Sequence, residues 1–190
     1  MIIPLDFERP FLRLESLTGI PVPELRRRIS ASGLVPEYER GRLESGDFVR
    51  ELAGCLGVRL EYEEFRGMWG SVFLPETLVP EEMILALKGR YRLLMLSNTN
   101  ALHYEMVCAN YPVLAHFDAA VLSYRVGAIK PEPRIYEEAI RLAGCGQGEC
   151  FFTDDIPAYV EAARAHGIDA VQFTGLAQLR VELRQRQITL

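Results

Sequence analysis

The rhythm of apolar positions changes near residue 80. Before it, apolar residues recur at helical spacing: Phe11, Leu12, Leu14 and Leu17 form one stripe, which Gly19-Ile20-Pro21 brings to a stop. Pro23-Glu24-Leu25 starts a second helix, since proline fits a first turn where its missing N–H has no bond to lose. Ser45-Gly46-Asp47 opens a third over residues 48–56, and residues 61–69 continue the pattern. Residues 10–79 therefore read as a small helical unit.

After Pro80 the pattern becomes an alternation. Residues 91–96, 119–123, 150–153 and 170–173 are short apolar strands separated by segments of helical period. Strand–helix alternation predicts an α/β core with a parallel, Rossmann-like sheet. The run Leu93-Leu94-Met95-Leu96 is apolar on both faces, as a strand covered by crossover helices on both sides must be. In such sheets the reactive groups gather at the carboxyl ends of the strands.

Composition narrows the choice of chemistry. The 190 residues are 49% hydrophobic, enough for one domain or a core with a modest insertion. A net charge of −5 provides no basic face to neutralise phosphates along a polynucleotide, which excludes nucleic acid as a partner. The one basic run, Arg26-Arg27-Arg28, lies near Glu24, Glu37 and Glu39 and reads as a solvated helix face. No N-terminal apolar stretch approaches the about 18 residues of a membrane span, and the segment before Pro4 is too short for a signal peptide, so no membrane partner and a cytoplasmic location are expected. The cysteines Cys55, Cys108, Cys145 and Cys150 lack CxxC spacing and are expected to be buried thiols, neither a zinc site nor a redox pair. His103, His116 and His166 stand apart from the polar segments that follow and receive no role.

Three segments put polar groups where strand ends are expected. Ser97 and Asn98 follow the first apolar run; a hydroxyl, an amide and free backbone N–H groups there hold phosphate oxygens without adding charge, or alternatively cap a helix. Lys130, in Gly127-Ala128-Ile129-Lys130-Pro131-Glu132-Pro133, is biased to extended backbone by the following proline, so that its ammonium projects from a turn either towards the same strand ends or into solvent. Asp154 and Asp155 end the run Cys150-Phe151-Phe152-Thr153 just ahead of Pro157. Adjacent carboxylates at a buried strand end repel unless a cation is near, and hard oxygen donors suit Mg²⁺, which takes one or two carboxylates plus phosphate. The other reading of the pair is an N-cap by Asp155.

In order and spacing these segments resemble the haloacid dehalogenase-like hydrolase superfamily over nearly the whole chain, and within it bacterial sugar-phosphate phosphatases of the alpha-glucose-1-phosphate phosphatase type. The resemblance implies a core of residues 1–9 and 80–190 with residues 10–79 as a small helical cap. It matches Ser97 and Asn98 to the second motif, Lys130 to the third, and Asp154 with Asp155 to the metal-binding fourth, Asp155 being the direct Mg²⁺ ligand. The implied reaction is hydrolysis of a small phosphomonoester through an aspartyl-phosphate. A cap of this kind selects substrate by closing over the strand ends, which makes Tyr38, Arg42, Trp69 and Phe73 candidate contacts, with packing inside the helical unit the favoured reading for the three aromatics.

The first motif has no match. In the family a strand ending Phe-Asp-Leu-Gly-Gly or Phe-Asp-Leu-Gly-Asn precedes a stretch like Ile2-Ile3-Pro4-Leu5-Asp6-Phe7, so the nucleophilic aspartate falls a few residues ahead of Met1. Met1 aligns with a valine, and because GTG encodes valine and also serves as a start codon, the upstream reading frame is expected to encode that strand. Asp6, beyond the strand end, is no substitute. The chain as given is expected to be inactive and, with two hydrophobic strand edges exposed, prone to aggregate or to borrow a strand. The alternatives are a non-catalytic descendant that binds a phosphorylated metabolite or a protein, and, further off, a haloacid dehalogenase, whose chemistry uses no Mg²⁺.

Overall fold

The computed structural model describes residues 2–188; Met1, and with it the alignment to a valine, lies outside the described residues. The helical part consists of α1 (Glu8–Thr18), α2 (Val22–Ser32), α3 (Leu34–Glu39), α4 (Ser45–Leu56) and α5 (Tyr62–Trp69), followed by a 3₁₀ turn at Gly70–Val72. Their apolar stripes converge on one cluster of Leu14, Leu25, Ile29, Phe48, Leu52 and Phe65. Periodicity did not reveal α3, whose six residues are too few to write a stripe. The segments entering and leaving this unit run side by side: Leu78 N donates to Ile2 O (2.7 Å), Leu74 N to Pro4 O (3.1 Å) and Asp6 N to Val72 O (2.8 Å). The Asp6 side chain accepts from Glu8 N at 3.0 Å, at the start of α1.

The α/β part follows as α6 (Glu81–Lys88), β1 (Leu94–Ser97), α7 (Ala101–Asn110), β2 (Ala119–Leu122), α8 (Ser123–Val126), α9 (Pro133–Ala143), β3 (Phe151–Asp154), α10 (Pro157–Ala165), β4 (Asp169–Gln172) and α11 (Leu176–Gln185). β1 and β3 each extend one residue past the apolar run, to Ser97 and Asp154, because the backbone ladder is indifferent to side-chain polarity. Both pairings are parallel, β1 with β2 in register Leu94↔Ala119 and β3 with β4 in register Phe151↔Asp169.

Instead of one sheet, the strands form two sheets of two, and among the described residues β1 and β3 are not paired. The two pairs nonetheless share apolar layers. Met95 of β1 and Phe151 of β3 pack on the cluster of Met83, Ile84, Val113, Leu114 and Leu179. Leu96 and Phe152 pack on the opposite cluster, built from Val121, Ile135, Tyr136, Val160 and Ala170.

Inner strands of a doubly covered sheet should be the most buried. Here the order is reversed: β1 is half-buried at all four positions, whereas Val121 and Leu122 of β2 are 1% exposed. A slot between β1 and β3 accounts for this. Cys150 O and Asp154 O accept from Asp169 N and Phe173 N, so the alternation of the ladder turns the backbone groups of Phe151 and Thr153 away from β4, towards the slot. The Thr153 hydroxyl is buried without a partner.

Unpaired edges of this kind recruit other strands. The chain is therefore expected to self-associate as concentration rises, read by sedimentation velocity across a dilution series. A monomer throughout, with one cooperative unfolding transition, would show that the edges are closed in solution.

The expectation of buried thiols is corrected. Cys55, Cys108 and Cys145 are exposed, on helix faces or a turn left open to solvent, and Cys150 is half-buried against the cluster of Ile135 and Val160. Arg26, Arg27 and Arg28 do lie on a solvated face, paired with Glu8 and Glu24. Among the described residues no helix is long and apolar enough to cross a membrane.

Candidate active site

At the tip of β1, Asn100 is the residue that caps α7, its Oδ1 accepting from His103 N at 3.0 Å. That leaves Ser97 and Asn98 for other work. Asn98 clamps the lysine turn: Oδ1 accepts from Lys130 N at 2.7 Å and Nδ2 donates to Lys130 O at 3.1 Å. Its Nδ2 also lies 3.3 Å from the Tyr159 hydroxyl. Ser97 Oγ donates weakly to Asn98 O at 3.3 Å and remains half-buried. Beside them Ser123, fully buried, joins the tips of β1 and β2 by accepting from Thr99 N (2.9 Å) and donating to Thr99 O (2.8 Å).

Lys130 projects inward, not into solvent; it is 6% exposed. Its ammonium donates to the Asp154 carboxylate and, at 3.2 Å, to Leu96 O, so it ties β3 to β1 across the mouth of the slot. The rings of Tyr159 and Phe152 lie 4.9 and 5.8 Å from Nζ and cover it further. A cation taken out of water in this way needs its partners, since an unpaired buried charge costs several kcal/mol, on the order of 3–5.

The two aspartates are not equivalent. Asp154 is buried and fully engaged: one oxygen takes the Lys130 ammonium and the other accepts from Ile156 N at 3.0 Å, ahead of α10. The N-terminal contact therefore belongs to Asp154 and not to Asp155. The Asp155 carboxylate has no hydrogen bond or ion pair among the described residues, while its backbone carbonyl is held by Gln172 Nε2 at 3.0 Å. One free carboxylate beside an engaged one, at a strand end rich in oxygen donors, fits a Mg²⁺ that completes its shell with phosphate and water. Among the described residues no group of three or more His, Cys, Asp or Glu gathers, so the protein donors present are few.

The helical part reaches the same strand ends through residues 38–41. Arg40 donates to Glu132 at 2.5 Å, and the second Glu132 oxygen accepts from Ile129 N at 3.2 Å, bracing the turn that presents Lys130. The Tyr38 hydroxyl accepts from Leu102 N at 3.3 Å. Gly41 sits so close to Tyr124 that a Cβ there would overlap the Tyr124 carbonyl, and its φ of +68° suits glycine. Glu39 is half-buried near this junction, and burial raises its pKa against the lowering effect of Arg40. The Tyr159 hydroxyl is pushed up as well, by burial first and then by Glu39.

Of the four nominated contacts, Tyr38, Trp69 and Phe73 are packing residues. Tyr38 is 1% exposed and stacks on Phe48 at 4.3 Å; Trp69 stacks on Phe65 and His103; Phe73 meets His103 edge-on. Arg42 pairs with Glu37 on the surface. His103, between those rings, is held neutral by burial, which lowers its pKa to about 4. Sequence reasoning passed over Tyr159, Glu132, Ser123, Glu39 and Arg40. Glu132 stood inside the quoted lysine segment and Tyr159 four residues after Asp155, one helical turn on.

A family model for haloacid dehalogenase-like hydrolases matches residues 41–167. The chain is 28% identical over 158 residues to a D-ribitol-5-phosphate phosphatase of Bacteroides thetaiotaomicron, covering 80% of this chain and 77% of that protein. It is similar to a solved HAD family enzyme from the same organism in complex with magnesium and inorganic phosphate, with a TM-score of 0.82 at 25% identity over 92% of this chain and 89% of that one. It is also similar to a HAD-like family hydrolase structure from Porphyromonas gingivalis, with a TM-score of 0.81 at 26% identity over 97% and 92% of the two chains.

Proposed function

This chain belongs to the haloacid dehalogenase-like hydrolase family, and from that premise we propose that it is the body of a Mg²⁺-dependent phosphatase for a small, sugar-phosphate-like phosphomonoester. The carrying observation is the buried Lys130, fixed by Asn98 and Asp154 at the mouth of the slot, with the unpaired Asp155 carboxylate beside it. The magnesium and phosphate bound by the Bacteroides neighbour support the metal, and the ribitol phosphate relative supports a polyol phosphate as substrate.

In this reading Lys130 and Ser97 bind the transferring phosphoryl oxygens, Asn98 holds the lysine turn, and Asp155, with Asp154 behind it, holds Mg²⁺. Bound there, the metal would neutralise phosphate charge. The nucleophile is an aspartate on a strand seated between β1 and β3. Its oxygen bonds to phosphorus as the ester oxygen departs, and water then releases phosphate from the aspartyl-phosphate. Residues 10–79 act as the cap on the core formed by residues 1–9 and 80–190, and the 190 residues by themselves do not turn over.

One observation favours a second reading, a non-catalytic protein that binds a phosphorylated metabolite or a protein: both Asp154 oxygens are already engaged, by the Lys130 ammonium and Ile156 N. The test is a panel of sugar phosphates, polyol phosphates, an aryl phosphate and a 2-haloacid, offered with and without Mg²⁺ to the chain joined to such a strand. Phosphate release that needs Mg²⁺, without halide release, is the expected result. A folded protein silent on every phosphoester overturns the phosphatase in favour of the binding reading, and metal-independent halide release overturns both.

A further inference from the structure

Away from the strand ends, the turn from α9 into β3 brings two thiols together. Cys145 Sγ lies 3.7 Å from Cys150 Sγ, Cys145 is exposed, and Cys150 is half-buried at the head of β3. The intervening residues form a closed 3₁₀ turn: Glu149 N donates to Gly146 O (2.9 Å), Cys150 N to Gln147 O (3.1 Å), and Gly146 N to the Glu149 carboxylate (2.8 Å). Cys150 is also anchored through its carbonyl, which accepts from Asp169 N at 3.1 Å. The two ends are thus fixed relative to one another, and the sulfurs are already near contact. The distance still to close, to an S–S bond of about 2.0 Å, is within the reach of side-chain rotation and small turn adjustments. The other two thiols, Cys55 on α4 and Cys108 on α7, are exposed and make no thiol–thiol contact among the described residues.

We propose that Cys145 and Cys150 are a thiol–disulfide exchange site, which a small disulfide of the glutathione class oxidises to an intramolecular disulfide. The Cys145 thiolate attacks one sulfur of the small disulfide, forming a mixed disulfide and releasing one equivalent of thiol. The Cys150 thiolate then attacks the Cys145 sulfur, closing the ring and releasing the second equivalent. The protein loses two hydrogens and two electrons, and the small disulfide gains both. The order of attack follows from exposure, since Cys145 meets solvent while Cys150 is half-buried against the apolar cluster of Ile135 and Val160, its sulfur 3.6 Å from Gly146 O. In the dithiol, burial, then the neighbouring Cys145 thiol and Glu149, raise the Cys150 pKa to about 11; burial and Glu149 persist in the mixed disulfide, so ring closure, which needs the Cys150 thiolate, should quicken as pH rises above neutrality. This inference does not rest on phosphatase activity.

The test uses the chain as it is. After incubation with glutathione disulfide and alkylation of the remaining thiols, tryptic digestion leaves Cys145 and Cys150 in one peptide, residues 142–164. That peptide is expected to lose two hydrogens and to take up neither alkyl group nor glutathione, while Cys55 and Cys108 take up one or the other. In C150S, glutathione should accumulate on Cys145; in C145S, Cys150 should be modified more slowly than Cys55 and Cys108. Glutathione that accumulates on Cys145 of the parent as it does in C150S, or alkylation of both cysteines as fast as Cys55 and Cys108, overturns the proposal.

Discussion

Joined ahead of Met1 to a strand ending in Phe-Asp-Leu-Gly-Gly, the protein is expected to hydrolyse an aryl phosphate with Mg²⁺ about a million-fold faster than the 190 residues alone, the lower end of enzymatic rate enhancement. The slot is shaped for the addition. It has β1 on one side and β3 on the other, with the backbone groups of Phe151 and Thr153 turned towards it. A parallel strand laid there would end level with Ser97 and Asp154, which puts its terminal carboxylate beside the Lys130 ammonium and the unpaired Asp155. Covalent catalysis has no substitute for a missing nucleophile, whereas anion and metal binding should survive in weakened form. The added strand also completes the sheet, so activity alone would not separate chemistry from folding. The control is the same strand with asparagine for aspartate, which should restore the monomer and the unfolding cooperativity but not the rate. Equal activity with and without the strand would remove the slot from the mechanism.

Much of this was legible in the sequence because it is local. The runs ending at Ser97 and Asp154 are apolar on both faces, and the turn around Lys130 is written in glycine and proline, so strands and polar tips stood out without a partner in view. What stayed hidden is long-range. Asn98 and Lys130 are 32 residues apart and Arg40 and Glu132 are 92 apart, and nothing in a local pattern says that one amide clamps that turn or that one arginine braces it. For the aromatic residues of the helical part packing was the favoured reading and it holds for Tyr38, Trp69 and Phe73, although period alone does not separate a stripe that faces a substrate from one that faces its own bundle. The thiol pair escaped for a related reason. Five positions separate Cys145 from Cys150, a spacing with no motif attached, and only the 3₁₀ turn of Gln147–Glu149 folds them together.

Lys130→Met is expected to destabilise the fold by about 3–5 kcal/mol, the range for stranding one partner of a buried ion pair. Methionine keeps most of the volume against Tyr159 and Phe152 but leaves the Asp154 carboxylate, itself buried, facing an apolar group, and leaves Leu96 O without the ammonium. Much of the loss is that penalty rather than the worth of the pair. A second substitution, Asp154→Leu, should therefore recover a large share of it in the K130M background, since a buried pair replaced by apolar residues of similar size is often near neutral. Asp154 also supplies an acceptor for Ile156 N, so recovery should fall short by about 1 kcal/mol. The strand-joined protein with asparagine at the nucleophile position is the right host, because it removes self-association and turnover from the measurement. Urea unfolding of parent, K130M, D154L and the double variant then gives the coupling directly. Phosphate binding should vanish in both Lys130 variants whatever their stability, because both lack the cation proposed to attract the phosphoryl oxygens. A K130M midpoint within the equivalent of about 1 kcal/mol of the parent would mean that Lys130 leaves Asp154 for solvent, and the buried pair at the mouth of the slot would no longer stand.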